Sequence, residues 1–462
     1  MKKCFLFQLI LAVTLGEIGV QNQSFAGPTA WWGGMASVDV TPALGTPLGG
    51  YGGGGRRLAS PDFGNRYPYA TFFKPSTGVI DPIRAKAMIL KQGTRQLLWI
   101  GLDTVGVTSD LQTDLVRAVA PLGFSQKDIL ISASHTHSGP GTLSRDLFWE
   151  MLAMDLFSRP IYDRFTAGVV QAVREAQARL APVHVFSATF RAQGVQVNRR
   201  NQVGKFDPDG HLILLQSASG PREGAWVGSI VQLAIHGTAF PEDNLQFSAD
   251  APGGIERAWS RYLTDLNQIA GFSSKSTGVE TMFVNGAEGD VSPALKGEQG
   301  IATMGNLFVD SARLGLTQLT PVLGDFKLVH APVELGNSLA IDARACSPQQ
   351  KRAAARAAGW SAFSEKSAPI RSTVSALKLG ETLWVTWPGE PTTELGWATQ
   401  RLIRTIRSEK QAIVLGVSQD HQAYFTTPQE FREGGYESCM TLFGPDGGQK
   451  ILDAQEKLLR SL

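Results

Sequence analysis

Hydrophobic positions recur along the chain with two periods, and the switches between them mark the elements. Arg95–Leu102 is an almost unbroken apolar run, read as a buried strand, and Ser109 stands where it caps a following helix. Asp128–Ala133 is a second apolar strand. From Ile161 to Leu180 the residues Phe165, Val169, Val170, Val173 and Leu180 keep helical spacing. Val183–Phe190, Leu212–Gln216, Gly228–Ile235 and Thr281–Val284 read as further strands. Val374–Leu379 and Thr382–Thr386 flank Gly380-Glu381 as a tight hairpin. Thr393–Arg407 is expected as a helix, Ala412–Val417 as a strand and Gln449–Leu462 as a closing helix. One segment resists a simple assignment. Leu147–Phe157 carries only two acidic residues and, if helical, is apolar on nearly every side, which calls for core burial or an apolar partner. The mixture of strands and helices predicts an α/β protein with mixed β-sheets covered by helices, a single large domain after the leader.

Composition narrows the class. With 43% hydrophobic and 18% charged residues the chain is an ordinary globular one, and a net charge of +2 gives no footprint for nucleic acid. The first residues read differently. Lys2 and Lys3 precede an apolar run from Cys4 to Leu15, and Ser24-Phe25-Ala26 supplies small residues, so residues 1–26 are expected to be a signal peptide cleaved after Ala26. That run is too short to span a ~30 Å hydrocarbon core. Residues 27–462 are then expected to be exported, periplasmic or secreted. Beyond the leader remain Cys346 and Cys439. Their pairing is left open by the sequence, with two free thiols the favoured reading.

Chemistry-bearing residues collect at predicted strand ends. Ser134-His135-Thr136-His137-Ser138-Gly139-Pro140-Gly141 follows the Asp128–Ala133 strand, and a His-x-His pair in a Gly/Pro turn presents two imidazoles suited to zinc. A solvated polar loop is the plain alternative. His236 ends the strand Leu233-Ala234-Ile235 and is followed at once by Gly237. Asn285-Gly286-Ala287-Glu288-Gly289-Asp290-Val291-Ser292-Pro293 holds two carboxylates and a serine, or merely a capped turn. Trp387-Pro388-Gly389-Glu390 precedes a helix that Thr392 or Thr393 caps. Tyr424-Phe425-Thr426-Thr427 follows the last strand, with Tyr436-Glu437 beyond it. His135, His236, Ser292, Glu390 and Tyr424 thus share one placement, the strand-end edge where ligands gather in α/β proteins. Two histidines and a carboxylate also make a catalytic zinc set with room for water.

These segments together resemble the neutral (non-lysosomal) ceramidase family, from about Met35 to the C-terminus. The His-Thr-His-Ser-Gly-Pro-Gly segment stands unbroken. Asp39-Val40-Thr41-Pro42, Leu48-Gly49-Gly50-Tyr51, Asn198-Arg199, Gly289-Asp290-Val291-Ser292-Pro293, Pro388-Gly389-Glu390 and the tyrosine segment with Phe443-Gly444-Pro445 match its other motifs. The resemblance implies one catalytic Zn2+ held by His135, His236, Glu390 and Tyr424, and a catalytic serine at Ser292. Gly237, Pro391 and Pro428 depart from the family pattern, and the C-terminal immunoglobulin-like domain of full-length members is expected to be absent.

The activity implied is cleavage of the N-acyl bond of ceramide by a zinc-activated water. His137 is the expected general acid/base, or else a supporting histidine, and Arg199 and Tyr436 bind substrate or oxyanion. Ser292 is either nucleophile or orienter of water or a substrate hydroxyl. The expected partner is a ceramide-like lipid amide, with peripheral membrane contact and no obligate protein partner. Hydrolysis of another N-acyl lipid or a small amide is the alternative within the same class. A non-catalytic exported binding protein is the alternative outside it.

Overall fold

A computed structural model describes residues 31–200, 204–273, 278–336, 346, 370–407, 409 and 411–462. The expected leader, residues 1–26, lies outside the described residues. The larger sheet runs, in spatial order, Glu280–Asn285, Trp226–Leu233, Asp209–Ser217, Ala181–Arg191, Trp31–Asp39, Arg84–Gln92, Arg95–Leu102 and Ile129–Ala133. Thr320–Pro321 pairs beside Ala181–Arg191. A second sheet follows the order Phe326–Gly336, Ile370–Leu379, Thr382–Thr386 and Gln411–Leu415. The sheets are mixed, as the alternation of elements predicted. Three neighbouring pairs are parallel, and a crossover helix joins each: Ser109–Val119, Asp250–Ile269 and Thr393–Ile406.

Side-chain alternation divides the strands between two cores. In Arg95–Leu102, Leu98, Ile100 and Leu102 join Leu111, Leu115, Phe165 and Val169 on the helix side. Leu97 and Trp99 turn the other way and meet Leu377, Trp384 and Ile413 of the smaller sheet. Trp99 and Trp384 touch edge to face at 5.6 Å. Both faces being covered, the strand has no polar stripe, which is why its sequence reads as one continuous apolar run. Each large aliphatic or aromatic side chain taken from water in this way contributes about 1.5–3 kcal/mol. Asp250–Ile269 and Gly297–Ala312 cover the other half of the larger sheet, and Thr393–Ile406 and Gly447–Ser461 cover the smaller one.

The segment after Gln411–Leu415 positions the site. Gly416 N–H donates to the Asn285 carbonyl and Ala133 N–H donates to the Val417 carbonyl, so this stretch links two strand ends of the larger sheet. Val417 is held at φ 39°, a conformation that a β-branched residue seldom adopts.

Three expectations are corrected. Cys346 and Cys439 form a disulfide, because folding brings their Cα atoms to 4.7 Å despite 93 residues of separation. Leu147–Phe157 is not one regular helix. Leu147–Trp149 is a single helical turn that widens into a π-turn over Glu150–Met154, and Asp155 ends it at φ 68°. The Asp155 carboxylate takes the backbone N–H groups of Thr71, Phe72 and Phe73, which fixes that termination. The helix begun at Ser109 has Thr108 as its N-cap. Among the described residues no helix is long and apolar enough to cross a membrane.

Candidate functional site

His135 and His236 are set side by side by their backbones. Thr136 and Gly237 form an isolated parallel bridge, His137 N–H donates to the Gly237 carbonyl at 2.8 Å, and Gly237 N–H donates to the His135 carbonyl at 3.2 Å. A Cβ at Gly237 would lie 2.5 Å from the His135 oxygen and from the Thr136 Cα, so only glycine permits this approach. His135 itself sits at φ 65°.

Both imidazoles are oriented from behind. His135 Nδ1 lies 2.6 Å from the Val105 carbonyl and His236 Nδ1 lies 2.7 Å from the Glu288 carbonyl. A carbonyl only accepts, so each Nδ1 carries the proton and each Nε2 points a lone pair inward. Burial, with Arg199 and His135 nearby, lowers the pKa of His236 to about 3, which keeps this ring neutral. Glu390 Oε2 then stands 3.2 Å from His135 Nε2 and 3.1 Å from His236 Nε2. That oxygen is buried and receives no hydrogen bond. Acceptors turned toward one another in a dry site are the signature of a place for a cation, and imidazole nitrogen with carboxylate oxygen is the donor set that zinc accepts.

Tyr424 completes the group. Its hydroxyl is 3.0 Å from His236 Nε2, and Arg199 Nη2 donates to it at 3.1 Å. Burial, reinforced by Glu390 and Tyr436, pushes the phenol well above its ordinary range. Glu390 and Tyr424 come from segments distant in sequence, joined by the parallel pairing of Glu390–Pro391 with Tyr424–Phe425. The four residues expected as ligands are thus brought together.

His137 lies beside them, its Nε2 3.2 Å from His135 Nε2, while its Nδ1 is buried without a partner. Burial, together with His135 and His236, holds its pKa well below the usual imidazole value. Tyr51 packs edge-on at 4.6 Å, and Gly50, at φ 116°, leaves the space that a Cβ would take from the ring. Arg199 also bonds Glu437 at 2.7 Å and the Gly289 carbonyl at 2.7 Å, and its guanidinium lies 5.2 Å from the Tyr436 ring centre. Tyr436 is 41% exposed and stands at the mouth. Asn198 is not among the residues lining the cavity, and its Nδ2 donates to both Asp290 Oδ2 and the Lys205 carbonyl. Asp290 in turn accepts from Thr393 N–H and hydroxyl at the start of the Thr393–Ile406 helix.

Ser292 is half-buried on the short strand Val291–Pro293, paired with Val197, and is not among the residues lining the cavity. Its neighbour Val291 accepts the backbone N–H of His236 at 2.9 Å. The cavity itself has a volume of about 740 Å³ and runs from His137, Glu390 and Tyr424 past Trp149, Met151 and Leu152 to Tyr436. That size suits a small-molecule or single-chain ligand. The π-turn segment therefore serves both readings offered for it, since Trp149 is 6% exposed within the core and also forms cavity wall.

One site residue, His421, was not singled out from sequence, and another, Glu288, was read only as one of two carboxylates in its loop. His421 is 2% exposed and packs beneath Trp149, and Glu288 is fully buried with neither carboxyl oxygen bonded. Burial, then Glu390, raises the Glu288 pKa well above the carboxylate range. Histidine scarcity was a usable signal: the chain has seven, and four of them, His135, His137, His236 and His421, stand here.

Fold and site define an α/β protein with a buried imidazole–carboxylate–phenol centre at the strand ends of a mixed sheet. The family model described as neutral/alkaline non-lysosomal ceramidase, N-terminal, matches residues 65–306. The chain belongs to this family. A relative from Mycobacterium tuberculosis named neutral ceramidase is 24% identical over 452 residues, covering 80% of this chain and 70% of the relative. The neutral ceramidase of Pseudomonas aeruginosa is 22% identical over 264 residues, covering 54% of this chain and 38% of the relative. A crystal structure of neutral ceramidase from Pseudomonas aeruginosa has the same fold, with a TM-score of 0.76 at 17% identity over 94% of this chain and 75% of that one. A ceramidase complexed with C2 matches with a TM-score of 0.74 at 15% identity, again over 94% of this chain and 75% of that one.

Proposed function

We propose that the protein is a zinc-dependent amide hydrolase that cleaves the N-acyl bond of ceramide-like lipids. The observation that carries this reading is the meeting of His135 Nε2, His236 Nε2, Glu390 Oε2 and the Tyr424 hydroxyl at the end of a largely apolar cavity. These four atoms would hold a zinc ion, which would supply Lewis acidity toward the amide carbonyl and toward water. The chain's own residues supply the rest. Hydrolysis places the hydroxyl of water on the acyl carbon and a proton on the departing nitrogen. His137 presents Nε2 to the site, where it would accept the proton of the attacking water and return it to the departing nitrogen. Arg199, fixed by Glu437, keeps a positive charge beside Tyr424 where negative charge develops on the substrate. Tyr436 offers its ring and hydroxyl at the mouth. Trp149, Met151 and Leu152 give the acyl chain an apolar, deformable wall.

The same reading places the protein outside the cytoplasm, on the leader-like layout of residues 1–26 and on the Cys346–Cys439 disulfide, which is at home in an oxidising compartment. The test is incubation of purified protein with ceramide and with a panel of other N-acyl amides, with and without chelator. Release of fatty acid from ceramide that chelator abolishes and zinc restores is the expected result. Hydrolysis indifferent to chelator would remove the metal from the proposal, and preference for a short amide would remove ceramide.

A further inference from the structure

His421 is a fourth imidazole at the centre, and the catalytic scheme above leaves it without a task. It is held in one plane. The Trp149 ring lies nearly parallel to it, with centroids 4.7 Å apart and an interplanar angle of 19°. Gly106 is adjacent, where a Cβ would stand 2.4 Å from the imidazole Cγ. Its backbone is fixed as well, because His421 N–H donates to Asp420 Oδ1 while Asp420 Oδ2 accepts from Ser372 and Gln422. Its Nδ1 is buried and has no partner. Its Nε2 lies 3.7 Å from Glu390 Oε1, the carboxylate oxygen that faces away from His135 and His236.

We propose that His421 is a positioning residue for Glu390. Its Nε2 faces Oε1 across 3.7 Å, longer than a hydrogen bond, and with Oε2 drawn to a metal it would close on Oε1 as a donor, the Trp149 ring keeping the imidazole at the required angle. The inference rests on the reading of this centre as a zinc site. With no acceptor at Nδ1, the imidazole proton belongs on Nε2, and Glu390 is the anion that it faces. A donor that closes on the second oxygen of a ligating carboxylate limits its rotation, and loss of such support typically weakens metal binding by 10–100-fold.

The experiment compares zinc affinity, by competition with a chromophoric chelator, in the full-length wild type and in His421→Leu, His421→Gln and Trp149→Leu. Thermal unfolding of each metal-free protein is measured alongside. His421→Leu keeps the apolar bulk and removes the donor, and is expected to weaken zinc by about 10–100-fold. His421→Gln retains an N–H donor and should recover most of that loss. Trp149→Leu, which frees the imidazole plane, should fall between them. Equal zinc affinity in wild type and His421→Leu overturns the proposal. So does a loss in His421→Leu that His421→Gln fails to recover while its unfolding temperature matches the wild type, because packing alone would then be at stake. A second zinc in wild type that disappears in His421→Leu would make His421 a ligand in its own right and also overturns it. A wild type that takes up no zinc defeats the zinc reading itself, and that result is distinct from any change confined to the variants.

Discussion

Glu390 and Tyr424 are register partners in a parallel ladder only two residues long, with Pro391 and Phe425 as the second pair. Gly389, at φ 154°, admits the approach, for a Cβ there would stand 2.4 Å from the Ala423 carbonyl oxygen. The carboxylate and the phenol are therefore spaced by backbone pairing, and His135 and His236 are spaced in the same way by the Thr136–Gly237 bridge. Two backbone clamps, each closed by a glycine, bring the four side chains together.

His236→Ala should lose zinc and activity together. It removes one of the inward Nε2 atoms and leaves Glu390 Oε2 facing His135 alone. Metal analysis of the purified variant, with fatty acid release from ceramide, provides the check. Stoichiometric zinc with full turnover would show that the ion is held elsewhere.

Ser292→Ala is expected to keep its zinc and to lose at least tenfold in kcat/KM. The residue belongs to the ladder beside Arg199, reaches no proposed ligand and does not line the cavity, so its effect on turnover should pass through the placing of Arg199. Loss of metal instead would assign it to supporting His236, through the Val291 carbonyl.

Trp149 and Leu152 both line the cavity, but only Leu152 is partly exposed. A charge placed at Trp149 would be buried without a partner and should destabilise the fold for every substrate alike. Leu152→Asp offers the cleaner comparison. It should leave the unfolding temperature near that of the wild type and lower the ratio of long-chain to short-chain amide turnover by roughly tenfold, the scale of a few lost methylene contacts. An unchanged ratio in a folded variant would move the acyl chain to another wall.

His211 gives a pH test away from the site. Burial, with Arg404 nearby, lowers its pKa to about 4, and its Nδ1 has no partner. Unfolded chain takes up this proton below about pH 6.5 and the folded protein does so only near pH 4. Stability from this group is thus intact above pH 6.5 and falls as pH drops toward 4, by up to about 1.4 kcal/mol per pH unit. The denaturation midpoint of His211→Gln should decline less steeply than that of wild type across this window. Identical slopes would mean that His211 protonates in place.

Much of this architecture was legible, and the reasons are local. Arg95–Leu102 and Ile129–Ala133 are buried on both faces, so their apolar runs are continuous, and the Gly380-Glu381 hairpin carries its own turn residues. Arg84–Gln92 was missed because Lys86 interrupts its pattern. That lysine is 3% exposed and is neutralised by Asp103 at 2.8 Å and Glu256 at 2.7 Å, partners that exist only in the folded protein. Trp31–Asp39 was missed for another reason: Gly33 and Gly34 blur its alternation, yet both are needed. A Cβ at Gly34 would stand 2.2 Å from the Ala176 carbonyl oxygen on the covering helix. Within the site, the strand-end placement of His135, His236, Glu390 and Tyr424 was readable, whereas His421 was not. Its importance comes from the Trp149 ring and from Glu390 Oε1, and neither contact has a signature in the sequence around Asp420.

The wide spacing of the four side chains along the chain also governs when the centre comes into being. His135 and His236 belong to the larger sheet's strand ends, while Glu390 and Tyr424 follow strands of the smaller sheet, which the chain reaches much later. A nascent or truncated chain lacking the smaller sheet therefore owns the larger sheet's imidazoles without the Glu390 carboxylate and the Tyr424 phenol that face them. On the proposed zinc reading, metal capture would report on complete folding. An ion bound to the native state alone would add its binding free energy to the global stability, by about 2.7 kcal/mol when its free concentration is a hundredfold above Kd. Metal-starved protein would then be the population that proteases open first, so that supply of the ion sets how long the molecule lasts as well as how fast it turns over.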